Sequence, residues 1–366
     1  DKVKFNSNIR FANTKQNAIM ENGAYFSNPM LTKYFMNPWR SPYNADGSYN
    51  TNLGGLHNTL YTISNNKEVN DLTRIIGSFG VTYDITKGLK WNTNANIDFN
   101  FAEYTAYKNP IHGDGVAYSG YAENQVAKNF NYVIQNSLDY AFGFGLHKFN
   151  AKALMEYQKN KYTALYGFGE SIPLGFDMLG NAAANWDASN AYTDWAQLSY
   201  LGMLNYNFDG KYLLDASIRR EGSSKFNKDT RWGTFWSVGG AWNIMNENFM
   251  TDVTWINLLR ARASYGTTGN NDIGLNRYQA LLGTNSYGGQ TAYELSQLPS
   301  LITWESQAKT DVGVDFGVLN NRVSGSVAYY NSKSTDLLFV SNPISSTAGH
   351  STKAINAGAM RNRGME

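Results

Sequence analysis

A chain of 366 residues with a net charge of +2 and no cysteine has no basic excess to draw it to nucleic acid, and it can form neither disulfides nor thiolate metal sites. Charged residues make up 16% and Tyr, Phe and Trp 14%, a balance that suits strands with amide-rich polar faces and suits helices poorly. No run of about 18 apolar residues occurs, which removes a transmembrane helix but leaves membrane-crossing strands open.

The chain opens on Asp1-Lys2-Val3-Lys4-Phe5, which already alternates like a strand, with no signal peptide ahead of it. The first strand is predicted near 2–13 and the second near 72–85, where Ile75, Phe79, Val81 and Tyr83 oppose Ser78, Thr82 and Asp84. The clearest segment is 89–101. Leu89, Trp91, Thr93, Ala95, Ile97, Phe99 and Phe101 share one face, and Lys90, Asn92, Asn94, Asn96, Asp98 and Asn100 share the other. Successive side chains in a strand point to opposite faces, so one wall is greasy and the other wet. At about 3.3 Å per residue this segment is far longer than an ordinary strand of five or six residues. Similar alternation predicts strands near 130–142, 147–168, 195–208, 211–222, 232–245, 258–268, 306–318, 322–339 and from 355 onward, about twelve in all. Asn246-Glu-Asn-Phe-Met250 is predicted as a short helical turn between two of them.

Alternation alone fits a soluble sandwich too, with the apolar face turned inward. Two features favour a membrane. Tight turns at Ile85–Gly88, Gly143–His147, Asp209–Gly210 and Leu319–Asn321 alternate with long connections near 14–71, 105–129, 169–196, 269–305 and 340–354, as in outer-membrane barrels. Aromatic residues gather beside the tight turns, where rings at strand ends form an interfacial girdle: Tyr83 and Trp91, Tyr140 and Phe149, then Tyr206, Phe208 and Tyr212. The fold is therefore read as all-β, an antiparallel transmembrane β-barrel. Because the chain closes inside a fresh strand and an open sheet edge is costly in lipid, residues 1–366 are expected to be part of a larger barrel domain.

Little points to chemistry. His57, His112, His147 and His350 are far apart in sequence without zinc-ligand spacing, and His112-Gly-Asp-Gly115 reads as a loop tip. Gly266-Thr-Thr-Gly-Asn270 lacks the Gly-Lys-Ser/Thr ending of a phosphate loop and is expected to be a turn. Glu21, Asp46, Asp187, Asp194 and Asp229 read as solvated loop carboxylates. No catalytic residue, metal or cofactor is assigned. The long connections carry Trp39, Tyr43, Tyr118, Tyr121, Trp186, Tyr192, Tyr287, Tyr293 and Trp304, which would suit a loop-built surface that stacks on sugars or peptides, or would pack loop on loop. Arg260, Arg262, Asp311 and Asp315 fall on the polar face and are expected to line the lumen, either shaping ligand passage or pairing with a plug.

One run of motifs is specific. Arg219-Arg-Glu-Gly-Ser-Ser-Lys-Phe226, Arg231-Trp-Gly-Thr-Phe-Trp-Ser-Val-Gly-Gly-Ala-Trp-Asn243, Asn246-Glu-Asn-Phe-Met250 and Trp255-Ile-Asn-Leu-Leu-Arg-Ala-Arg-Ala-Ser-Tyr-Gly-Thr-Thr-Gly-Asn270 follow in order. Trp304-Glu305, Asp311-Val-Gly-Val-Asp-Phe316, Tyr329-Tyr-Asn331 and Asn356-Ala-Gly-Ala-Met-Arg-Asn-Arg-Gly-Met-Glu366 continue the series. In order and spacing they resemble the SusC/RagA-like TonB-dependent transporters of Bacteroidetes. The resemblance implies a barrel of about 22 strands in the outer membrane, holding a plug and capped by a SusD-like lipoprotein. It also implies import of an oligosaccharide or peptide, driven by TonB. The plug, the TonB-binding segment and the final strands are expected to lie outside these residues. An adhesin or glycan-binding β protein without transport is the alternative, and a barrel hydrolase stands third.

Overall fold

A computed structural model of the chain describes residues 2–17, 28–345, 347 and 349–366. In chain order the strands are β1 (Val3–Asn17), β2 (Lys67–Thr86), β3 (Leu89–Lys108), β4 (Tyr121–Phe144), β5 (His147–Glu170), β6 (Ala184–Phe208), β7 (Tyr212–Ser223), β8 (Trp232–Asn243) and β9 (Ile256–Asn270). A hairpin of β10 (Leu281–Tyr287) and β11 (Gln290–Gln297) comes next, followed by β12 (Glu305–Val318) and β13 (Val323–Thr335). The last are β14 (Leu338–Pro343), β15 (Thr352–Asn356) and β16 (Ala359–Met365). Two short helices, α1 (Pro29–Phe35) and α2 (Thr59–Asn65), lie between β1 and β2. Twelve of the strands form one antiparallel sheet in the order β1 to β9, then β12, β13 and β16, with β1 and β16 at its edges. This is the expected barrel wall, open among the described residues. Among the described residues no helix is long and apolar enough to cross a membrane.

Register turns the alternation into rows. Phe79, Ala95, Ile134, Tyr157 and Leu198 lie side by side across β2 to β6, an apolar row. One residue along, Gly80, Asn94, Gln135, Glu156 and Ser199 make a polar row. A slip of one residue would exchange the two, so the apolar pattern holds the register. The apolar rows have no protein layer over them: Leu138 is 47% exposed, Ile218 55% and Val327 56%. In a sandwich these side chains would form the core. Here they form a continuous bare surface that only lipid can cover, which places water on the other face.

The lower rim of that surface is aromatic. Rings of Tyr140, Phe142, Phe149 and Tyr206 follow one another at 4.8, 4.9 and 4.8 Å between centroids, and those of His147, Phe208, Tyr212 and Trp242 at 4.7, 6.1 and 6.5 Å. The polar tips of Tyr212 and Trp242 both donate to Glu247 Oε1, at 2.5 and 3.0 Å, so the rings present edges to water and faces to lipid. Glu247 sits between the short 3₁₀ turns Ile244–Asn246 and Asn248–Met250, where the sequence predicts a helical turn.

The tight connections hold at Lys87–Gly88, Gly145–Leu146, Asp209–Gly210 and Leu319–Asn321. Gly88 has φ +83°, and a Cβ there would overlap the carbonyl oxygen of Ala141. Gly88→Ala is therefore expected to destabilise by more than about 1 kcal/mol, from left-handed backbone and clash together. The check is a downward shift in the temperature at which the folded band is lost in heat-modifiability electrophoresis.

The opposite ends differ from expectation. Strands β4, β5 and β6 run far beyond the apolar segment, so much of the predicted connections 105–129 and 169–196 is strand. There polar and apolar residues are mixed on both faces and the period-two signal vanishes, while the neighbouring ladder still offers hydrogen bonds to the backbone. Gly266–Asn270 is likewise the end of β9 rather than a turn. The predicted strand 322–339 is broken by Asp336 at φ +57°, after which β14 leaves the wall and pairs with β15. Glu21 lies outside the described residues.

Candidate functional site: the lumen wall and its extracellular cap

Strands that alternate bring their even or odd polar residues into one water-facing surface, and here those residues pair with each other. Arg74 grips Asp98 through two bonds of 3.0 and 2.7 Å between β2 and β3. Asp139 accepts from Asn92 and Ser137, both at 2.7 Å, and pairs with Lys152 at 3.0 Å. Arg219 bridges Glu156 at 3.1 Å and Glu221 at 2.9 Å, Gln135 donates to Glu156 at 2.6 Å, and Gln197 donates to Glu221. Arg262 holds Asp311 at 2.6 Å and Asp315 at 3.5 Å. Arg262 lies across Gly313, whose missing side chain leaves room for the guanidinium.

Arg262, Asp311 and Asp315 are thus brought together on the polar face of the sheet, as a wall-internal triad. Arg260 is opposite Asp315 in register, yet its Nε is buried without a hydrogen-bond partner among the described residues. The larger Arg219 cluster is not among the candidates named from the sequence. Its signal was present, because Arg219 and Glu221 are two apart on the polar face of one strand. Between the two clusters lies an open recess of about 900 Å³ with a mixed lining, in which Arg219, Glu221, Arg262 and Asp311 stand beside Leu201 and Phe235. Such a wall offers paired charges and amides to a hydrated cargo or to a polar plug.

At the extracellular end, loops fold into two buried clusters. In the first, Phe226, Ile302 and Trp304 are almost wholly buried together with Phe235, Ile273 and Ala354. The Phe235 ring occupies the space above Gly269 where a side chain would clash. The Trp304 ring lies tilted at 5.4 Å from Phe226 and edge-on at 5.5 Å from Phe235, and its Nε1 donates to the Arg231 carbonyl at 2.8 Å. The second joins Tyr107, Ala122, Ile172 and Ala182.

Residues distant in sequence meet in the loop above β2 and β3. The rings of His57 and His112 are 5.4 Å apart, and Tyr61 stands edge-on to His112 at the same distance. His112 Nε2 accepts the backbone N–H of Asn58 at 2.7 Å, while the Asn58 side chain caps α2. Asp114 lies 3.6 Å from His57 Nδ1. Burial pushes both histidines below the usual imidazole value; the neighbouring ring adds to this for His112, and Asp114 partly opposes it for His57. A histidine held neutral stabilises the fold above its unfolded pKa of about 6.5, and that contribution is lost as pH falls through the lower folded values. Protonation at Nε2 would also set a donor against the Asn58 N–H. Hydrogen exchange at 57–66 is expected to quicken below about pH 6 while the wall strands hold. Equal exchange there at pH 5 and 8, after correction for the chemical rate, would contradict this.

The predicted ligand-facing aromatics fall into separate groups. Trp39 is exposed in the loop after α1, and Tyr43 stacks on Tyr49 at 5.5 Å beside the histidine cluster. Tyr118 and Tyr121 are 5.4 Å apart, with Tyr121 stacked on Phe168 and bonded to Glu123 at 2.7 Å. Trp186 is exposed at the start of β6, and Tyr287 and Tyr293 are exposed on the projecting β10–β11 hairpin. Two expectations are corrected. Trp304, only 5% exposed, is a core residue of the cap and offers no free ring face. Tyr192 belongs to β6 rather than to a loop. It lies in the row of Phe101, Lys128 and Thr163, on the outward face. Asp187 and Asp194 are strand residues for the same reason.

Among known families, the model "TonB dependent receptor-like, beta-barrel" matches residues 13–366. The TonB-dependent receptor SusC of Bacteroides thetaiotaomicron is 29% identical over 359 residues, which is 94% of this chain and 34% of that protein. A TonB-dependent receptor of Formosa agariphila is 27% identical over 336 residues, 88% of this chain and 33% of its own. The chain therefore spans about a third of the length of the curated relatives it matches. The solved RagAB peptide transporter superposes with a TM-score of 0.84 at 22% identity, covering all of this chain and 42% of that one. Its open-open state gives 0.85 at 23% identity, covering 99% and 41%. These structural likenesses speak to the fold.

Proposed function

The chain belongs to the TonB dependent receptor-like β-barrel family as an outer-membrane barrel of the SusC/RagA type, and from that premise we propose that it forms part of the wall of an importer for a complex nutrient. Residues 1–366 would supply part of the C-terminal barrel domain, slightly more than half of an approximately 22-strand wall. The cargo would be an oligosaccharide or a peptide. A SusD-like lipoprotein would cover the outer mouth, and TonB would supply the energy through a segment outside these residues.

The observation that carries this reading is the pairing of the two faces. One is a bare apolar surface with an aromatic rim, and the other is a ladder of satisfied ion pairs. A water-filled conduit needs both at once: lipid contact outside and hydrated, neutralised walls inside. The extracellular aromatics lie in several groups, so cargo contact would be shared among loops and the lipoprotein.

Uptake of labelled oligosaccharides and oligopeptides by whole cells, with and without the gene, tests the reading. Accumulation that disappears on deletion and on collapse of the proton gradient is expected, and the label that accumulates names the cargo class. Surface binding that survives uncoupling, without accumulation of either label, would instead fit an adhesin and sink the import reading.

A further inference from the structure

The outward face ends differently at its two rims. At the lower rim the apolar columns close on rings: Phe144, His147, Phe208, Tyr212 and Trp242. At the upper rim of β4, β5 and β7 they are interrupted by cations, with Val126 and the exposed Leu165 beyond them on β4 and β5. The outward column of β4 runs from Tyr140 to Phe130 and then meets Lys128. That of β5 runs from Phe149 to Tyr157 and then meets Lys159 and Lys161. That of β7 runs through Ile218 to Arg220.

Register makes three of these cations neighbours. Lys128 is opposite Thr163, which places it diagonally across from Lys161, at roughly 7–8 Å between backbones. Lys159 is two residues further along the same strand. Each is set against a ring or a single acid. Lys128 Nζ lies 5.7 Å from the centre of the Phe101 ring and Lys161 Nζ 5.5 Å from that of Tyr192. Lys159 pairs with Asp194 at 3.7 Å. Neither Lys128 nor Lys161 has a carboxylate within ion-pair distance among the described residues, and both are exposed. Glu103 lies on the same outward face, opposite Val126. Arg220 stands apart, 5.5 Å over the Trp232 ring.

Height agrees with chemistry. From His147 at the lower rim, Lys159 and Lys161 are 12 and 14 residues up β5. With the usual rise and strand tilt that is roughly 30–35 Å, just above an apolar band about 25 Å tall. Cations at this level face the headgroups of the outer leaflet, whereas the outward strand ends of the lower rim carry rings and its cations, Lys87, Lys211 and Arg322, lie in the turns. We propose that Lys128, Lys159 and Lys161 form a binding site for the phosphate of a glycolipid in the outer leaflet, with Tyr192 and Phe101 as the flanking surface against its sugars. The site rests on the outer-membrane placement and is independent of the cargo.

The test uses the full-length protein in detergent, exchanged into nanodiscs that contain monophosphoryl lipid A, or the same lipid after phosphatase treatment. Lipid retained after washing is measured by native mass spectrometry. Replacing all three lysines by glutamine is expected to cut retention of the phosphorylated lipid by fivefold or more, since one cation near an anionic surface is worth about that factor. Retention of the dephosphorylated lipid should stay the same. The corresponding arginine triple variant should keep the phosphorylated lipid, and Lys148→Gln, on the lumen face, should change nothing. Heat-modifiable migration shows which variants are folded, and the arginine variant keeps the test decisive if the glutamine variant is not. Undiminished retention by a folded glutamine variant, equal loss of both lipids, or loss in the arginine variant would each overturn the proposal.

Discussion

Arginine at Ala95 is expected to destabilise the assembled barrel by about 2–4 kcal/mol, whereas arginine at the adjacent Asn94 should cost no more than about 0.5 kcal/mol. Ala95 lies between Phe79 and Ile134 in the apolar row, six residues above the start of β3 and therefore well inside the apolar band. A guanidinium there must enter hydrocarbon or bend the lipid to reach water. Asn94 lies between Gly80 and Gln135, with Glu156 and its ion-pair network on the same polar row. The added charge would find water and an acid. Urea titration of folding into phospholipid vesicles measures both variants. Equal damage on the two faces would mean that the outward and inward rows have been exchanged.

Trp304→Ala is expected to cost about 3–5 kcal/mol, the usual range for deleting a large buried aromatic, and to spend that loss in the cap rather than the wall. The indole fills the space between Phe226 and Phe235 and ties residue 304 to the Arg231 carbonyl. Its removal opens a cavity and takes one of two donors from that carbonyl, which keeps the Ser223 N–H at 3.1 Å. Hydrogen exchange should rise at 224–231, 271–304 and 352–358, with the ladders of β3, β4 and β5 unchanged. Trp304→Phe should recover most of the packing and lose only the hydrogen bond. Protection lost evenly across the wall would show that the cap and the barrel unfold as one unit.

The two variants mark two kinds of information. The Ala95 position needed only the alternation of 89–101, because side chains in a pleated strand take opposite faces whatever the rest of the chain does. The tight turns were equally legible, as at Gly88, where backbone geometry demands a particular residue. The roles of Trp304 and Tyr192 were not legible. Both are aromatic residues in stretches without period-two contrast, and nothing local separates a buried ring from an exposed one.

The cluster of His57, His112 and Tyr61 shows the same limit from the other direction. Fifty-five positions separate the two histidines, and they meet because the loop before β2 folds back over the connection between β3 and β4. The upper parts of β4, β5 and β6 are strand because each supplies a ladder for the next, a condition that no single segment carries. The two-stranded hairpins outside the wall have the same dependence on a partner.

By itself the sequence determined which face of each strand is oily, where the chain turns sharply, and the family to which the motifs from Arg219 to Glu366 belong. These are local matters of pleat period, turn conformation and short-range pattern. Only the tertiary structure decided which charges neutralise one another across strands, which loop rings are buried, and where cations gather at the upper rim. Those follow from interstrand register and from contacts across tens to hundreds of residues, where the energy lies between segments rather than within any one of them.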